Sequence, residues 1–337
     1  MNKILSVSIA AYNVASTLRE CLDPFLESEV MEFLDIMIVD DGSKDKTAVI
    51  AKEYQDKYPD SIRLIQKQNG GWGSTVNSGI QNAKGKYFKQ LDGDDYYEPK
   101  ALNEFIAYLD SQSSDMVIAP YITYDSETGA VITTENCNPG CEVRKVFALK
   151  DVEGFSPFMH SLAIKTELLK KGNVKVTEHC FYTDTEFVLK ACNQAETVSF
   201  FDMPVYYYRR AAVGQSMSLG GFEKHYMEQY KVIEVSLDYL HTDVKRAEVK
   251  KIYDKLLVGT CWWQYLIMFY ISVTPEHKHN LIAFDKMLKA KAPDYYDQIH
   301  FRELDILRKT HFLGYSILAP YKKKKDNRFT EDGRLAN

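Results

Sequence analysis

Apolar, β-rich runs and segments of helical spacing succeed one another along the first part of the chain. The runs ILSVSIA, FLDIMIVD, SIRLIQK and KYFKQLD are separated by stretches, beginning near Ser16, Asp45 and Ser74, whose apolar residues recur every three or four positions. This βαβα rhythm predicts a mainly parallel, twisted sheet with helices on both faces, and such sheets collect ligands at the carboxyl ends of their strands. After DMVIAPYITYD, read as a strand, the pattern loosens through TGAVITTENCNPGCEVRKVF, a hairpin or excursion. It resumes with FMHSLAIKT, a helix over about Asp184 to Cys192, and TVSFFDMPVYYYRR, where the sheet is expected to end. From about Phe222 the spacing is helical throughout. The change of period and the pair Gly220 and Gly221 predict two domains, residues 1–220 and 221–337.

Composition narrows the function classes. With 337 residues, 45% of them hydrophobic, the chain can bury a real core. A net charge of -5 gives no general reason to bind nucleic acid. The longest apolar candidate, CWWQYLIMFYISV from Cys261, is too short for a membrane span and contains Gln264. It reads as core or as a subunit interface, which leaves a homo-oligomer among the expectations. Six scattered cysteines and a short apolar N-terminal run fit a reducing cytoplasm. Cys137 and Cys141, with His179 and Cys180 downstream, match no compact zinc module. Near the end, HFLGYSILAPYKKKKDN joins an apolar run to Lys322–Lys325, a candidate peripheral contact with the inner face of a membrane.

Three polar segments fall at predicted strand ends. VDDGSKDKT carries Asp40, Asp41, Ser43 and Asp45 where one capping residue would suffice. QNGGWGSTVNSGI has Gly70, Gly71 and Gly73 ahead of a helix start that could meet an anion, although a flexible turn explains it as well. It matches neither the dinucleotide fingerprint nor the Walker lysine loop. YFKQLDGDD places Asp92, Asp94 and Asp95 around Gly93. Like charges this close need water or a cation between them, and oxygen ligands of this kind suit Mg2+ or Mn2+ completed by substrate phosphates.

In order, SVSIAAYN, IVDDGSKDKT, NGGWGSTVNSGI, GKYFKQLDGDDYYEP and FYTDTEF resemble the successive motifs of family 2 glycosyltransferases, over roughly the first 200 residues. The resemblance implies an α/β GT-A fold, Rossmann-like, its sheet flanked by helices, with a mainly helical C-terminal region beside it. It places Ala10, Ala11, Tyr12 and Asn13 under the nucleotide, Asp41 at the base with Asp40 beside it, and Gly71, Asn77, Asp92 and Gly93 around the rest of the donor. Asp94 becomes the direct ligand of a divalent cation, Mn2+ or Mg2+, with Asp92 nearer the ribose or the metal. Asp184 falls where the catalytic base is expected; without the resemblance it reads as an ordinary helix cap. Trp72, Asp95, His160, Arg209, Arg210 and Gln215 are candidate contacts to the diphosphate or the acceptor. Two positions depart from the family pattern: Val76 stands where arginine is usual, and Thr183 where glutamate is usual.

The implied activity is metal-dependent, inverting transfer of one sugar from a nucleotide-diphosphate donor, with UDP the expected nucleotide. The acceptor is a hydroxyl of a glycan, glycoprotein or lipid-linked acceptor in cell-surface polysaccharide or glycoprotein glycan synthesis. Neither the Gln-x-x-Arg-Trp motif nor the membrane helices of processive synthases are present. A non-catalytic glycan-binding or scaffolding subunit is the alternative that the two departures favour. A nucleotidyltransferase would carry a Gly-x-Gly-Thr-Arg type loop, and a dehydrogenase the dinucleotide fingerprint; SIAAYNVAS has neither.

Overall fold

The computed structural model describes residues 3–210 and 218–329. The chain forms two compact units, Met1–Arg210 and Ala211–Asn337.

In the first unit the strands are β1 (Leu5–Ala11), β2 (Leu34–Asp40), β3 (Ile62–Gln66), β4 (Tyr87–Asp92), β5 (Tyr96–Tyr97), β6 (Met116–Ile118), β7 (Tyr121–Asp125), β8 (Val131–Glu135), β9 (Val146–Ala148), β10 (Leu162–Lys165), β11 (Thr197–Phe200) and β12 (Tyr206–Arg210). Its helices are α1 (Leu18–Glu27), α2 (Thr47–Lys57), α3 (Trp72–Asn82), α4 (Pro99–Ser111), α5 (Thr166–Lys171) and α6 (Asp184–Cys192). The large sheet runs β3-β2-β1-β4-β10-β6-β11-β9. Its first four strands are mutually parallel. Every residue of β2 is buried, as expected of a parallel strand covered on both faces. Helix α3 approaches β1 so closely that a Cβ at Gly79 would lie 2.2 Å from the Ser8 hydroxyl, so only glycine fits. That contact fixes the glycine-rich loop at the head of α3.

Beyond β4 the sheet departs from the expected parallel pattern. β10 runs antiparallel to both β4 and β6, and β9 antiparallel to β11. DMVIAPYITYD is two strands rather than one: β6 stays in the large sheet, and β7 enters a second sheet of order β5-β12-β7-β8. The break falls at Pro120, which has no N–H to continue a ladder. TVSFFDMPVYYYRR divides in the same way into β11 and β12 on either side of Pro204. Of the stretch read as a hairpin or excursion, β8 pairs back onto β7 and β9 joins β11 in the large sheet.

The second unit contains α7 (Leu219–Thr242), α8 (Ala247–Tyr270), α9 (Pro275–Lys291), α10 (Pro293–Gln298), α11 (Arg302–Lys309) and α12 (Tyr315–Asp326). Gly220 and Gly221 sit in the first turn of α7, where the Ser218 hydroxyl accepts from the Gly221 N–H. Gln264 through Tyr270 are all buried, so this stretch of α8 is core. Gln264 satisfies its amide on the Tyr226 carbonyl at 2.9 Å. Asp285 is held by the Tyr265 hydroxyl at 2.8 Å and by Arg308 at 2.9 Å. Among the described residues no helix is long and apolar enough to cross a membrane.

Candidate active site

The carboxyl ends of β1, β2 and β4 lie side by side, with Ala11 opposite Asp40 and Ala10 opposite Asp92. Past β1, Asn13 takes a positive φ of 54°. Its N–H donates to the Ser43 hydroxyl and its side-chain oxygen accepts from the Lys44 N–H, tying the segment to the turn after β2. Ala11 is buried, whereas Tyr12 is 47% exposed at the rim.

The two aspartates after β2 turn inward. Asp40 accepts from the Ser43 N–H at 3.0 Å, closing the turn. One oxygen of Asp41 accepts from Lys67 Nζ at 2.7 Å, the Gly70 N–H at 2.9 Å and the Ser74 hydroxyl; the other accepts from the Gly71 N–H at 2.8 Å. Asp41 is 2% exposed. Its carboxylate therefore organises the glycine-rich loop. Gly71 has φ of 80°, and a Cβ there would lie 3.4 Å from the backbone nitrogens of His179 and Cys180. Asn77 is also engaged: its amide donates to the Val176 carbonyl and its oxygen accepts from the Val176 N–H. It pins the segment before α6 and presents no free amide to a diphosphate. Val76 is fully buried.

The end of β4 is different. Gly93 is confined by Ala10, whose carbonyl would lie 2.9 Å from an added Cβ. Asp92 accepts from Trp72 Nε1 at 2.7 Å. Trp72 meets Phe187 of α6 edge-on, and Phe187 meets Phe88 of β4, so one aromatic chain couples loop, strand and helix. Asp94 is half-buried. Asp95 is 1% exposed and accepts from the Tyr206 hydroxyl at 2.5 Å and the Arg209 N–H at 2.7 Å. Expected as a contact to diphosphate or acceptor, it instead fastens β12 to the acidic turn. Arg209 spends its guanidinium on the Asp94 carbonyl at 2.7 Å and on Glu20. Arg210, half-buried, ends β12. Gln215 lies outside the described residues.

His160 stands against Tyr121, Tyr206 and Tyr208, with ring centroids 4.9, 4.8 and 4.6 Å away. Its Nδ1 has no hydrogen-bond partner among the described residues. Burial, with Lys89 adding to it, lowers its pKa to about 3 and keeps the ring neutral. Asp92, Asp95 and His160 each bring a donor atom within 4.8 Å of the others. Beneath them Lys89, 1% exposed, donates to the His160 carbonyl at 2.6 Å, and burial lowers its pKa to about 7. Sequence reading passed over Lys89, Tyr206 and Tyr208; the signal was a lysine inside the apolar strand YFKQLD.

The electrostatics of this rim are those of a buried acidic cluster. Burial raises the pKa of Asp92 to about 7; Asp94 and Asp184 push the same way, against the Trp72 N–H. Burial also raises Asp184, the first residue of α6. Asp184 is close enough to influence Asp92, so the helix head and the β4 turn share one electrostatic region. A separate open cleft of 760 Å³, lined in part by Lys67, Ser74, Asn77 and Glu178, includes none of these three aspartates.

Residues 6–168 match the family described as Glycosyl transferase family 2. The match lies within the N-terminal unit and covers just under half of the chain. The uncharacterized glycosyltransferase RP339 of Rickettsia prowazekii is 40% identical over 122 residues, a match spanning 36% of each chain. The putative glycosyltransferase EpsH of Bacillus subtilis is 26% identical over 75% of this chain and 74% of its own. The minor teichoic acid biosynthesis protein GgaB of Bacillus subtilis is 28% identical over 64% of this chain, but the match covers 24% of GgaB. Among solved structures, S. aureus TarS 1-349 in complex with UDP-GlcNAc is similar with a TM-score of 0.66 and 18% identity, over 97% of this chain and 93% of that one. The likeness shows the fold, a GT-A sheet with a helical C-terminal region.

Proposed function

We propose that this glycosyltransferase moves a single sugar, with inversion, from a UDP-sugar to an acceptor hydroxyl in cell-surface polysaccharide or glycoprotein glycan synthesis. The supporting observation is the electrostatic grouping of Asp92, Asp94 and Asp184 at one end of the parallel strands. TarS was solved with UDP-GlcNAc and with UDP, and GgaB is named for teichoic acid biosynthesis, which supports the donor and acceptor classes.

In this reading Asp184 accepts the proton of the acceptor hydroxyl as its oxygen attacks the anomeric carbon. The bond from that carbon to the diphosphate oxygen breaks, and the nucleoside diphosphate leaves with the electron pair from the opposite face. The raised pKa of Asp184 suits a base that must hold a proton once it is released. Asp94 and Asp92 hold a divalent cation, Mn2+ or Mg2+, with the unpartnered Nδ1 of His160 nearby. The chemistry around them fits: Asp92, Asp95 and His160 bring donor atoms within 4.8 Å of one another, and the His160 Nδ1 has no hydrogen-bond partner among the described residues. When bound, the cation neutralises charge on the diphosphate. A neighbouring mannosyltransferase structure, TM-score 0.54, was solved with GDP-Man and Mn2+. Tyr12, exposed at the rim, offers a ring face to the base, and the Ala10–Asn13 backbone its floor.

A thermal-shift series of UDP, GDP and CDP, each with and without Mn2+, tests the reading. Stabilisation by UDP that requires Mn2+ is expected; equal shifts with and without the ion remove the metal. UDP-sugar turnover lost in Asp184→Asn separates the enzyme from a scaffolding subunit.

A further inference from the structure

Helix α12 is packed on one side only. Tyr315 and Ala319 are buried, and the Tyr315 hydroxyl donates to the Met268 carbonyl of α8 at 2.5 Å. On the other side Leu313, in the turn leading into α12, is 79% exposed, Ile317 74% and Tyr321 51%. They are four residues apart, and Pro320 and Lys324, both exposed, share their helical face. Single exposed apolar residues are ordinary; a file of them on one face of an anchored helix is not.

The lysines decide what covers this face. Lys322 is paired with Asp326, and Lys325 reaches Glu303. Lys323 and Lys324 enter no ion pair among the described residues. The chain as a whole carries a net charge of -5, so this cationic stretch runs against the general trend. Protein interfaces are depleted in lysine at their centres. Interfacial helices combine apolar side chains, tyrosine at headgroup depth and lysines whose stems lie along the apolar surface while the amines reach anionic headgroups. We infer that the Leu313–Lys324 face of α12 docks on an anionic lipid surface, with Leu313 and Ile317 inserted and Lys323 and Lys324 meeting headgroup phosphates. The inference rests on α12 alone and stands apart from the donor chemistry proposed above.

Flotation of the full chain with vesicles of phosphatidylcholine alone, and of phosphatidylcholine mixed with phosphatidylglycerol, tests it. The unaltered protein is expected to float with the mixed vesicles and to be released by high salt. Leu313→Ser with Ile317→Ser should weaken partitioning about tenfold or more per residue. Lys323→Gln with Lys324→Gln should weaken it about fivefold per lysine on the mixed vesicles only. Leu313, Ile317 and Lys324 are exposed and Lys323 is half-buried, and an unchanged thermal midpoint verifies that the variants fold. No flotation of the unaltered protein, or equal flotation by all three forms, overturns the inference. So does self-association in solution that the Leu313 and Ile317 changes abolish, which would give the face to a second copy of the chain.

Discussion

Two acidic turns at neighbouring strand ends have opposite company. After β2, Asp41 receives hydrogen bonds from an ammonium, two backbone amides and a hydroxyl. After β4, Asp92 receives one indole N–H and faces two further carboxylates. In sequence they look alike, a strand closing on two or three aspartates before a turn. The difference lies in donors supplied from afar: Lys67 and the Gly70–Gly71 amides reach Asp41, whereas at the β4 turn the Tyr206 hydroxyl and the Arg209 N–H go to Asp95 and leave Asp92 with the indole beside Asp94 and Asp184. A carboxylate saturated by its own protein holds a loop in shape; one left among like charges is poised to bind a cation.

The largest expected effect breaks the β4 side at its functional end. Asp184→Asn removes the proton acceptor and keeps the shape, so turnover of UDP-sugar with an acceptor should fall about a hundredfold to ten-thousandfold, with nucleotide binding by thermal shift retained. Turnover within a few-fold of the unaltered enzyme would remove Asp184 from the chemistry.

Stability should then separate the two turns by sign. Asp41→Ala takes the carboxylate from Lys67 Nζ and the acceptor from two loop amides, and breaking a buried pair of this kind costs about 3 kcal/mol, read as a lower thermal midpoint. Asp92→Asn keeps the acceptor for Trp72 and relieves like-charge crowding, so the cation-free protein should melt higher at pH 8. Equal destabilisation by both would erase the distinction.

Acidity sharpens the same contrast. A carboxyl with a folded pKa of about 7 holds a proton across the window from about 4 to 7, where an unfolded aspartate has lost it. The native state binds more protons there, so the contribution of Asp92 to stability is present at pH 4 and is lost as pH rises through 7, by roughly 1.4 kcal/mol per unit. Asp95 and Asp184, also raised, act with the same sign. A cation takes the ionised form, so Mn2+ affinity should fall about tenfold per unit as pH drops below 7. Calorimetric titration with Mn2+ at pH 6 and pH 8 reads this, and a pH-independent affinity contradicts it.

Much of this was legible in the sequence, and the rest was hidden for identifiable reasons. Period and strand-end chemistry located β1 to β4, the acidic turns and the head of α6, because local pattern and tertiary role agree there. The second sheet was missed because Pro120 and Pro204 each break one apolar run into strands of different sheets, and no period reports that change of partner. The hydrogen-bonding roles of Asp41, Asn77, Asp95 and Arg209 within the protein were hidden for a related reason. Their partners Lys67, Val176, Tyr206 and Glu20 are distant in sequence, and a polar side chain satisfied from afar looks, in one dimension, like one waiting for a ligand. His160 was singled out, but the tyrosines that enclose it come from β7 and β12, which only the fold brings together.

The smallest change worth making is Trp72→Phe, because the Trp72 indole N–H is what the glycine-rich loop donates to Asp92. Phenylalanine keeps an aromatic edge against Phe187 and removes the N–H. A hydrogen bond to a charged acceptor contributes about 1.5–3 kcal/mol, but Asp92 can protonate once the donor is gone, so the net loss near pH 7 should fall below that range. At pH 8, where Asp92 would otherwise be ionised, the loss should be larger, and Mn2+ should restore most of it. A thermal midpoint that drops equally at pH 6 and pH 8, with and without Mn2+, would mean that Trp72 serves packing alone and that Asp92 carries no charge for the indole to hold.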